Sequence, residues 1–425
     1  MSELIAQLRE GEGVERRAAA RALGRLGPRA EPAIPALIEA MKLSSFASDE
    51  SNALGQIGPA AIPALLEAME GEEDTVRAQC AHALGVIGPK AESTIPVLLK
   101  LLKDRSQYVR REAAIALGKI APSNQNVARA LSRLLESSEK PVRTTAARTL
   151  ASMRPAGRQA VPSLIEALAF NSVGSNSKFP PEEVKALVKI GPPAIPALTE
   201  GLQHDKARVR AQCAWALELL GSQAKSATPK LIVLLNDGSS VVCERAILAL
   251  GAIAPADKEA MRALVQVWDR KPWFGESFDA ARVLGEVGQA AVPELIGALG
   301  GGENAARFAG RALAQIGSAA GPAVPALMRV LRGETLPVYS SAYSSAVQAL
   351  AAIGPAAAPE VVKLVGGPDE RVRRRAVGVF KKLGHRGAGA VPELADFLGR
   401  PDPALRAAAA EALSHIGLEA QATVP

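Results

Sequence analysis

Aromatic side chains are nearly missing from this 425-residue chain: eight Phe, three Tyr and three Trp make up 3% of it. Large single cores lean on such rings for bulk, so an interior here has to be built from Ala, Leu, Val and Ile. Cysteine is scarce too. Cys80, Cys213 and Cys243 are odd in number and sit inside helical patterns. That excludes a disulfide-stapled fold and makes a reduced, cytoplasmic compartment the default expectation. Histidine is limited to His82, His204, His385 and His415, no two within helical reach of each other. Cys80 and His82 are two apart and point to different faces of a helix. No spacing offers the four convergent ligands that zinc needs. Long apolar runs are missing as well: Gly, Pro or charge breaks each one, so no transmembrane helix is expected. The N-terminal "MSELIAQLREGEGVERR" lacks the apolar stretch of a secretory signal. Charge of one sign does not dominate either. The net charge of +7, from 50 basic and 43 acidic residues, is mild for this length and weak support for a nucleic-acid partner. No nucleophile elbow, P-loop or dinucleotide fingerprint occurs, and no cofactor is implied.

What is abundant is punctuation, with 37 Gly and 30 Pro. The phrase "ALGxIGP" recurs, its first large apolar residue falling at Leu23, Leu54, Leu84, Leu117, Leu150, Leu187, Leu217, Leu250, Leu284, Leu313, Leu350, Phe380 and Leu413. These thirteen anchors are 29 to 37 residues apart and leave nothing over for a separate domain. Within "DTVRAQCAHALGVIGPKAESTIPVLLKLLKD", Val76, Cys80, Ala83, Leu84 and Ile87 lie at steps of three and four, one face of a helix. Gly88 is expected in the left-handed C′ position and Pro89 stops continuation. Pro96 sits near the first turn of a second helix, where its missing N–H costs nothing. One such hairpin cannot bury its apolar faces alone, whereas stacked copies can. The expectation is an all-α solenoid of about thirteen helical hairpins, residues 1–425 forming one curved superhelical array. Pro425 lies twelve residues after Leu413, where a Pro opens the second helix in six other copies, so the last copy is expected to lack that helix.

The consensus "VRxxxAxALGxIGPxAxxxIPxLxxxL" resembles HEAT repeats, specifically the short HEAT-like repeats of the phycobilin lyase type, along essentially the whole chain. The resemblance implies the fold and says little about function. For lyases of that type it implies a tetrapyrrole-handling groove and often a second subunit, but no residue stands out as a marker. The related deoxyhypusine hydroxylases carry His–Glu pairs for two irons, six and five before the anchor. Those positions read Arg17–Ala18, Ala78–Gln79, Arg111–Glu112 and Ala211–Gln212 here, so that activity is not carried over.

The copies fall into two classes. Val and Arg stand eight and seven before the anchor at Val76–Arg77, Val109–Arg110, Val142–Arg143, Val209–Arg210 and Val372–Arg373. The Arg is expected to pair locally with a turn acid such as Asp74, Asp205, Asp369 or Asp402 and to tie one repeat to the next. The pair is missing in the copies anchored at Leu54, Leu187, Leu284 and Leu350, which carry Phe46, Phe179, Phe278 and Tyr343 at or beside it. In these four the connecting Pro is nine residues after the anchor instead of twelve (Pro63, Pro196, Pro293, Pro359). The third is the richest, with Trp268, Trp273, Phe274 and Phe278 within eleven residues. Phe46 and Phe179 read first as rings filling the space between repeats and second as partner contacts. Trp273 and Phe274, beside Pro272 and Gly275, fit either reading. The candidate partner-binding set is Trp273, Phe274, Phe278, Tyr343, Phe46 and Phe179.

A basic stretch, "RVRRRAVGVFKKLGHRG", offers Arg371, Arg374, Arg375, Lys381 and Lys382 as a candidate anion site. The second helices carry mixed charge (Glu39, Glu67, Lys100, Lys103, Glu166, Lys230, Asp396), which is no phosphate track. The expected function is therefore a non-enzymatic scaffold or adaptor with an extended protein–protein surface. Two alternatives remain: an enzyme or enzyme subunit of the HEAT-like lyase type, and a binder of nucleic acid or an acidic partner through residues 371–386.

Overall fold

The computed structural model describes residues 1–43, 49–71, 73–153, 155–170, 179–255, 257–270, 279–334, 337 and 340–417. All regular structure among them is helical, and Cα packing divides the chain into two compact units, Met1–Ala216 and Leu217–Pro425. The first unit opens with α1 (Ser2–Glu10), α2 (Gly13–Leu26), α3 (Ile34–Lys42), α4 (Asp49–Ile57) and α5 (Ile62–Ala68). It continues with α6 (Asp74–Ile87), α7 (Ile95–Leu101), α8 (Gln107–Ile120), α9 (Gln125–Arg133) and α10 (Lys140–Ser152). It ends with α11 (Val161–Ala167), α12 (Glu182–Ile190), α13 (Ile195–Gly201) and most of α14 (Ala207–Leu220). The second unit holds α15 (Thr228–Leu234), α16 (Ser240–Ile253), α17 (Lys258–Arg270), α18 (Asp279–Val287), α19 (Val292–Leu299) and α20 (Glu303–Ile316). It closes with α21 (Val324–Arg332), α22 (Ala342–Ile353), α23 (Ala358–Val365), α24 (Glu370–Leu383), α25 (Val391–Leu398) and α26 (Pro403–Ile416).

The even-numbered helices from α2 to α26 each carry one of the thirteen anchors. In the first unit α2, α4, α6, α8, α10 and α12 pack in succession; in the second, α16, α18, α20, α22, α24 and α26 do the same. The odd-numbered helices form the other layer, as in α3 against α5 and α17 against α19. This is an α-solenoid, built from hairpins that each lend one apolar face to the next.

Small residues set the spacing. Twelve of the thirteen anchors are Leu and the other is Phe380; all are buried except Leu413 in the last copy, which is half-buried. A Cβ on Gly85 of α6 would stand 2.9 Å from the Ala116 Cα of α8, so only glycine allows that helix–helix approach. At the end of α6, Gly88 has φ 72° and ψ −143°. This corrects the left-handed cap expected from the sequence: φ is positive, but ψ is extended. The backbone leaves the helix there and enters a 3-10 turn, Gly88–Thr94, instead of curling back on its last carbonyls. The second helix then starts with Pro in its first turn, Pro96 in α7 as expected.

The two classes of copy differ in length. Regular copies such as the one anchored at Leu84 have a 14-residue first helix and a seven-residue 3-10 turn. In the copies anchored at Leu54 and Leu187, α4 and α12 have nine residues and the 3-10 turns three. Among the described residues, one run is long and apolar enough to cross a membrane, Ala342–Val365; it is α22 and α23 broken by the 3-10 turn Gly354–Ala357, and 61% of its window is buried. It is a core hairpin. The second helix expected to be missing from the last copy falls on residues 418–425, outside the described residues.

Candidate interaction surface

The arginine seven before the anchor is a clamp on backbone. Its guanidinium reaches the carbonyl oxygens five and six residues upstream, in the turn that ends the preceding hairpin. Arg143 donates to Ser137 O and Ser138 O at 2.8 and 2.9 Å. Arg210 donates to His204 O and Asp205 O at 2.8 and 2.9 Å, and Arg406 to Arg400 O and Pro401 O at 3.0 and 2.8 Å. These carbonyls lie where a helix has ended and left acceptors without intrahelical donors. The acid expected beside the Arg comes from the next copy and not from its own turn. Arg77 grips Asp104 through two bonds of 2.9 and 3.1 Å while holding Gly71 O at 3.0 Å. Arg110 likewise pairs with Glu139, and Arg373 with Asp402 at 3.4 Å. Asp369 and Asp402 also cap α24 and α26, their carboxylates accepting from the Arg371 and Val372 N–H groups and from the Ala404 N–H. Burial opposes ionisation of Asp104. The Arg77 and Ser106 hydrogen bonds and the charges of Arg77 and Arg105 outweigh it and hold the carboxyl below its ordinary value.

Where the Arg is missing, other groups take its place. Cys243 stands seven before Leu250 and its thiol donates to Asp237 O at 3.2 Å, the carbonyl six residues upstream. In the copy anchored at Leu350 the position is held by Tyr343. That ring, expected as a partner contact, is only 7% exposed, with the Arg375 guanidinium 3.3 Å from its centroid. Arg375 also donates to Leu331 O at 2.8 Å. The same copy is tied back to α20 by Glu303, which accepts from the Ser341 N–H and hydroxyl at 3.0 and 3.2 Å.

The divergent copies also bury acid. Four residues before the anchor, nine copies carry Ala and two carry Cys, but those anchored at Leu54 and Leu187 carry Glu50 and Glu183. Both are almost fully buried. Because α4 and α12 start five residues later in the repeat than α6 does, this position is the second residue of the helix. A carboxylate there complements the unpaired N–H groups and dipole of a helix start. In the copies that follow, Gln79 and Gln212 donate to Met41 O and Leu168 O at 3.2 Å each. Cys80 and Cys213, next to them, are core thiols whose pKa burial pushes up to about 12. His82 lies 3.1 Å from Asn52 Oδ1 and 3.2 Å from Glu112 Oε2, linking α4, α6 and α8 at one level. No group of three or more His, Cys, Asp or Glu among the described residues could hold a metal ion.

Of the remaining aromatic candidates, Phe46, Trp273, Phe274 and Phe278 lie outside the described residues. Phe179, read first as a packing ring, is 78% exposed. Phe170, at the end of the 3-10 turn after α11, is 51% exposed, with Arg143 stacked 5.2 Å from its centroid. Leu43, at the C-cap of α3, is 72% exposed. Large apolar side chains thus stand in solvent at the lead-in to both divergent copies of the first unit. Trp268, by contrast, is core, 5.7 Å from the buried ring of Phe308.

The candidate anion-site residues differ in their surroundings. Arg371 pairs with Asp369 at 3.6 Å and Arg374 with Glu370 at 2.7 Å. The Arg375 head is engaged between Leu331 O and Tyr343, as above. Lys381 and Lys382 are exposed in the last turn of α24.

The repeat geometry agrees with comparison to known families. The model described as HEAT repeats matches residues 51–118, 95–173, 195–275 and 358–424, more than half of the chain. The chain belongs to the HEAT-repeat family. The PBS lyase HEAT-like repeat matches residues 15–42, a single hairpin. No curated protein matches by sequence. Among solved structures, an engineered protein is 22% identical over 97% of this chain and 98% of its own, with a TM-score of 0.25. Importin beta is 15% identical over 99% of this chain and 68% of its own, TM-score 0.41. The Kap95:Nup1 complex gives 14% identity over 98% and 66%, TM-score 0.49.

Within this HEAT array, sequence reasoning missed Leu43, Phe170 and the two buried glutamates. The glutamates had a readable signal, an acid in a column that is otherwise Ala or Cys. Leu43 and Phe170 read as core, because an apolar residue at a helix end does so until the turn beyond it is known.

Proposed function

We propose that this HEAT-repeat chain is a non-enzymatic scaffold that binds protein partners along the edge where its divergent copies begin. The observation that carries this is the exposure of Phe170 and Phe179 on either side of the lead-in to α12, repeated by Leu43 before α4. Soluble proteins tend to keep large apolar groups from clustering in solvent unless a partner covers them. Aromatic side chains are favoured anchors in protein interfaces. The clamp gives the edge its stiffness. Arg143, held on Ser137 O and Ser138 O, stacks on the Phe170 ring and gives it a fixed neighbour.

The test is quantitative affinity enrichment with the full chain as bait, comparing it with a Phe170→Ser/Phe179→Ser double variant of equal helicity and thermal midpoint. A protein partner recovered by the first and depleted at least about tenfold with the second is the expected result, the order of losing one interface anchor. Equal recovery by both removes this edge as the binding surface.

A further inference from the structure

Ten copies open their second helix with a Pro, and the residue eight further on can be compared among them. In eight copies it is Gly, Asp, His or Arg, as at Gly71, Asp104, His204 and Arg400. The two exceptions are Leu43, after α3, and Phe170, after α11. They stand 72% and 51% exposed. Apolar residues scattered singly over a surface need no explanation. These two hold one position of the repeat, and each precedes a divergent copy, α4 or α12.

The backbone beneath them is held alike. In most of the other copies the carbonyl at this position is the one the clamp takes, as Arg77 takes Gly71 O and Arg210 takes His204 O. The divergent copies lack that Arg. Instead, a buried side chain from the copy after next reaches the carbonyl two residues earlier: Gln79 to Met41 O and Gln212 to Leu168 O, at 3.2 Å each. The second unit repeats the device around the divergent copy anchored at Leu350. Arg375, in the same column as the two Gln, donates to Leu331 O at 2.8 Å. Two residues on from Leu331 stands Gly333. The fold therefore does not need an apolar side chain at this place, and Leu43 and Phe170 are surplus to it.

The two seats lie four copies apart in the first unit, about 32–40 Å along the array at about 8–10 Å per packed helix. Stacked copies differ by a small rotation, so both seats face the same way and run in the same direction. A two-fold dimer presents its like segments in opposite directions. One chain that carries the same motif twice presents them in the same direction, and about ten to twelve extended residues span the gap.

We infer that Leu43 and Phe170 are equivalent docking points for one flexible protein segment that carries a short apolar motif in tandem. The inference rests on the scaffold reading and names the class of partner.

The test uses the full chain and a short peptide selected on it from a random library. Calorimetry should count two peptides per chain at one affinity, one per chain for Leu43→Ser or Phe170→Ser, and none for the double variant. Both side chains are exposed and Gly333 fills the place in the second unit, so the variants should fold. Two peptides joined by a Gly/Ser spacer of about 40 residues, with a root-mean-square span of about 35 Å, should bind at least about a hundredfold more tightly than one. That gain should vanish in either single variant. One peptide per chain, two peptides still bound by Leu43→Ser, a joined peptide no tighter than the single one, or a selection yielding only peptides indifferent to both substitutions would overturn the twin seats. Protein capture lost with Phe170→Ser/Phe179→Ser but kept with Leu43→Ser also overturns them, and leaves the scaffold reading standing on one seat.

Discussion

Removing the head of Arg77 isolates what one clamp contributes. Arg77→Met keeps the apolar stem but leaves the Asp104 carboxylate, 9% exposed, with the Ser106 N–H at 2.9 Å as its remaining hydrogen bond. Gly71 O loses its side-chain donor. Breaking a buried ion pair from one side costs about 3–5 kcal/mol, mostly the stranded charge. The Ser106 bond relieves part of that, so about 3 kcal/mol is expected for Arg77→Met. Asp104→Asn keeps an acceptor and strands no anion. It should cost about 1–2 kcal/mol, the range for one bond to a charged group. The double variant should then cost less than the sum, with a coupling of about 1–3 kcal/mol. Repeat arrays need not unfold in one step. The measurement is therefore native-state hydrogen exchange at the amides of α6 and α8, in a double-mutant cycle. Arg406→Met is the control: that clamp is exposed and its two bonds go to carbonyl oxygens, so a cost near or below about 1 kcal/mol is expected. A loss under about 1 kcal/mol at Arg77, or additive single variants, would refute the view that the clamp joins successive copies.

Further expectations follow from the packing and charge. Gly85→Val puts a branched side chain where the first atom already meets Ala116 Cα at 2.9 Å. Overpacking should cost about 1–3 kcal/mol by chemical denaturation, and a neutral result would mean that α6 and α8 can part freely. Arg375→Met removes both the cation over Tyr343 and the donor to Leu331 O. It should destabilise the second unit by about 1–3 kcal/mol, whereas Arg374→Met, beside it but paired on the surface, should change stability by less than about 1 kcal/mol. Burial raises the Glu218 carboxyl pKa in the folded chain, in spite of Arg245 and Arg282. Its contribution is therefore fully present below the unfolded value near pH 4.3 and is lost as pH rises through the folded value. Glu218→Gln should remove that decline from the stability–pH curve of the second unit; an unchanged slope would show that Glu218 does not titrate differently on folding.

The repeat register was legible because it rests on local rules. Gly88 and Pro96 mark the ends of α6 and α7, and the apolar steps around Leu84 mark the buried face. None of this depends on residues far away in the chain. The length difference between the two classes was legible in the same way, from Pro nine or twelve residues after the anchor. The clamp was half legible. Arg at a fixed column beside acidic turns announced a pairing, but its partner could not be assigned, since Asp74 and Asp104 are equally plausible on paper. Only stacking shows that the carboxylate comes from the following copy and that carbonyl oxygens take the rest of the guanidinium. Within the basic stretch, Arg371 and Arg374 pair locally with Asp369 and Glu370, whereas Arg375 spends its head on Leu331 O and a ring 32 residues upstream, which only the packing of α22 and α24 reveals.

The sequence by itself determined the all-α class, the number of anchors, the hairpin register and the existence of divergent copies, because helix ends and apolar periodicity are short-range properties. Tertiary structure alone decided which aromatic is buried and which stands in solvent. Tyr343 and Phe179 occupy neighbouring columns of the repeat pattern in two different copies, yet one lies under Arg375 and the other is 78% exposed. It also decided that Glu218 borders a cavity while Gly85, in the same column, closes a contact. Burial is set by what the next helix brings to the same place, and that neighbour lies some thirty residues away in the chain.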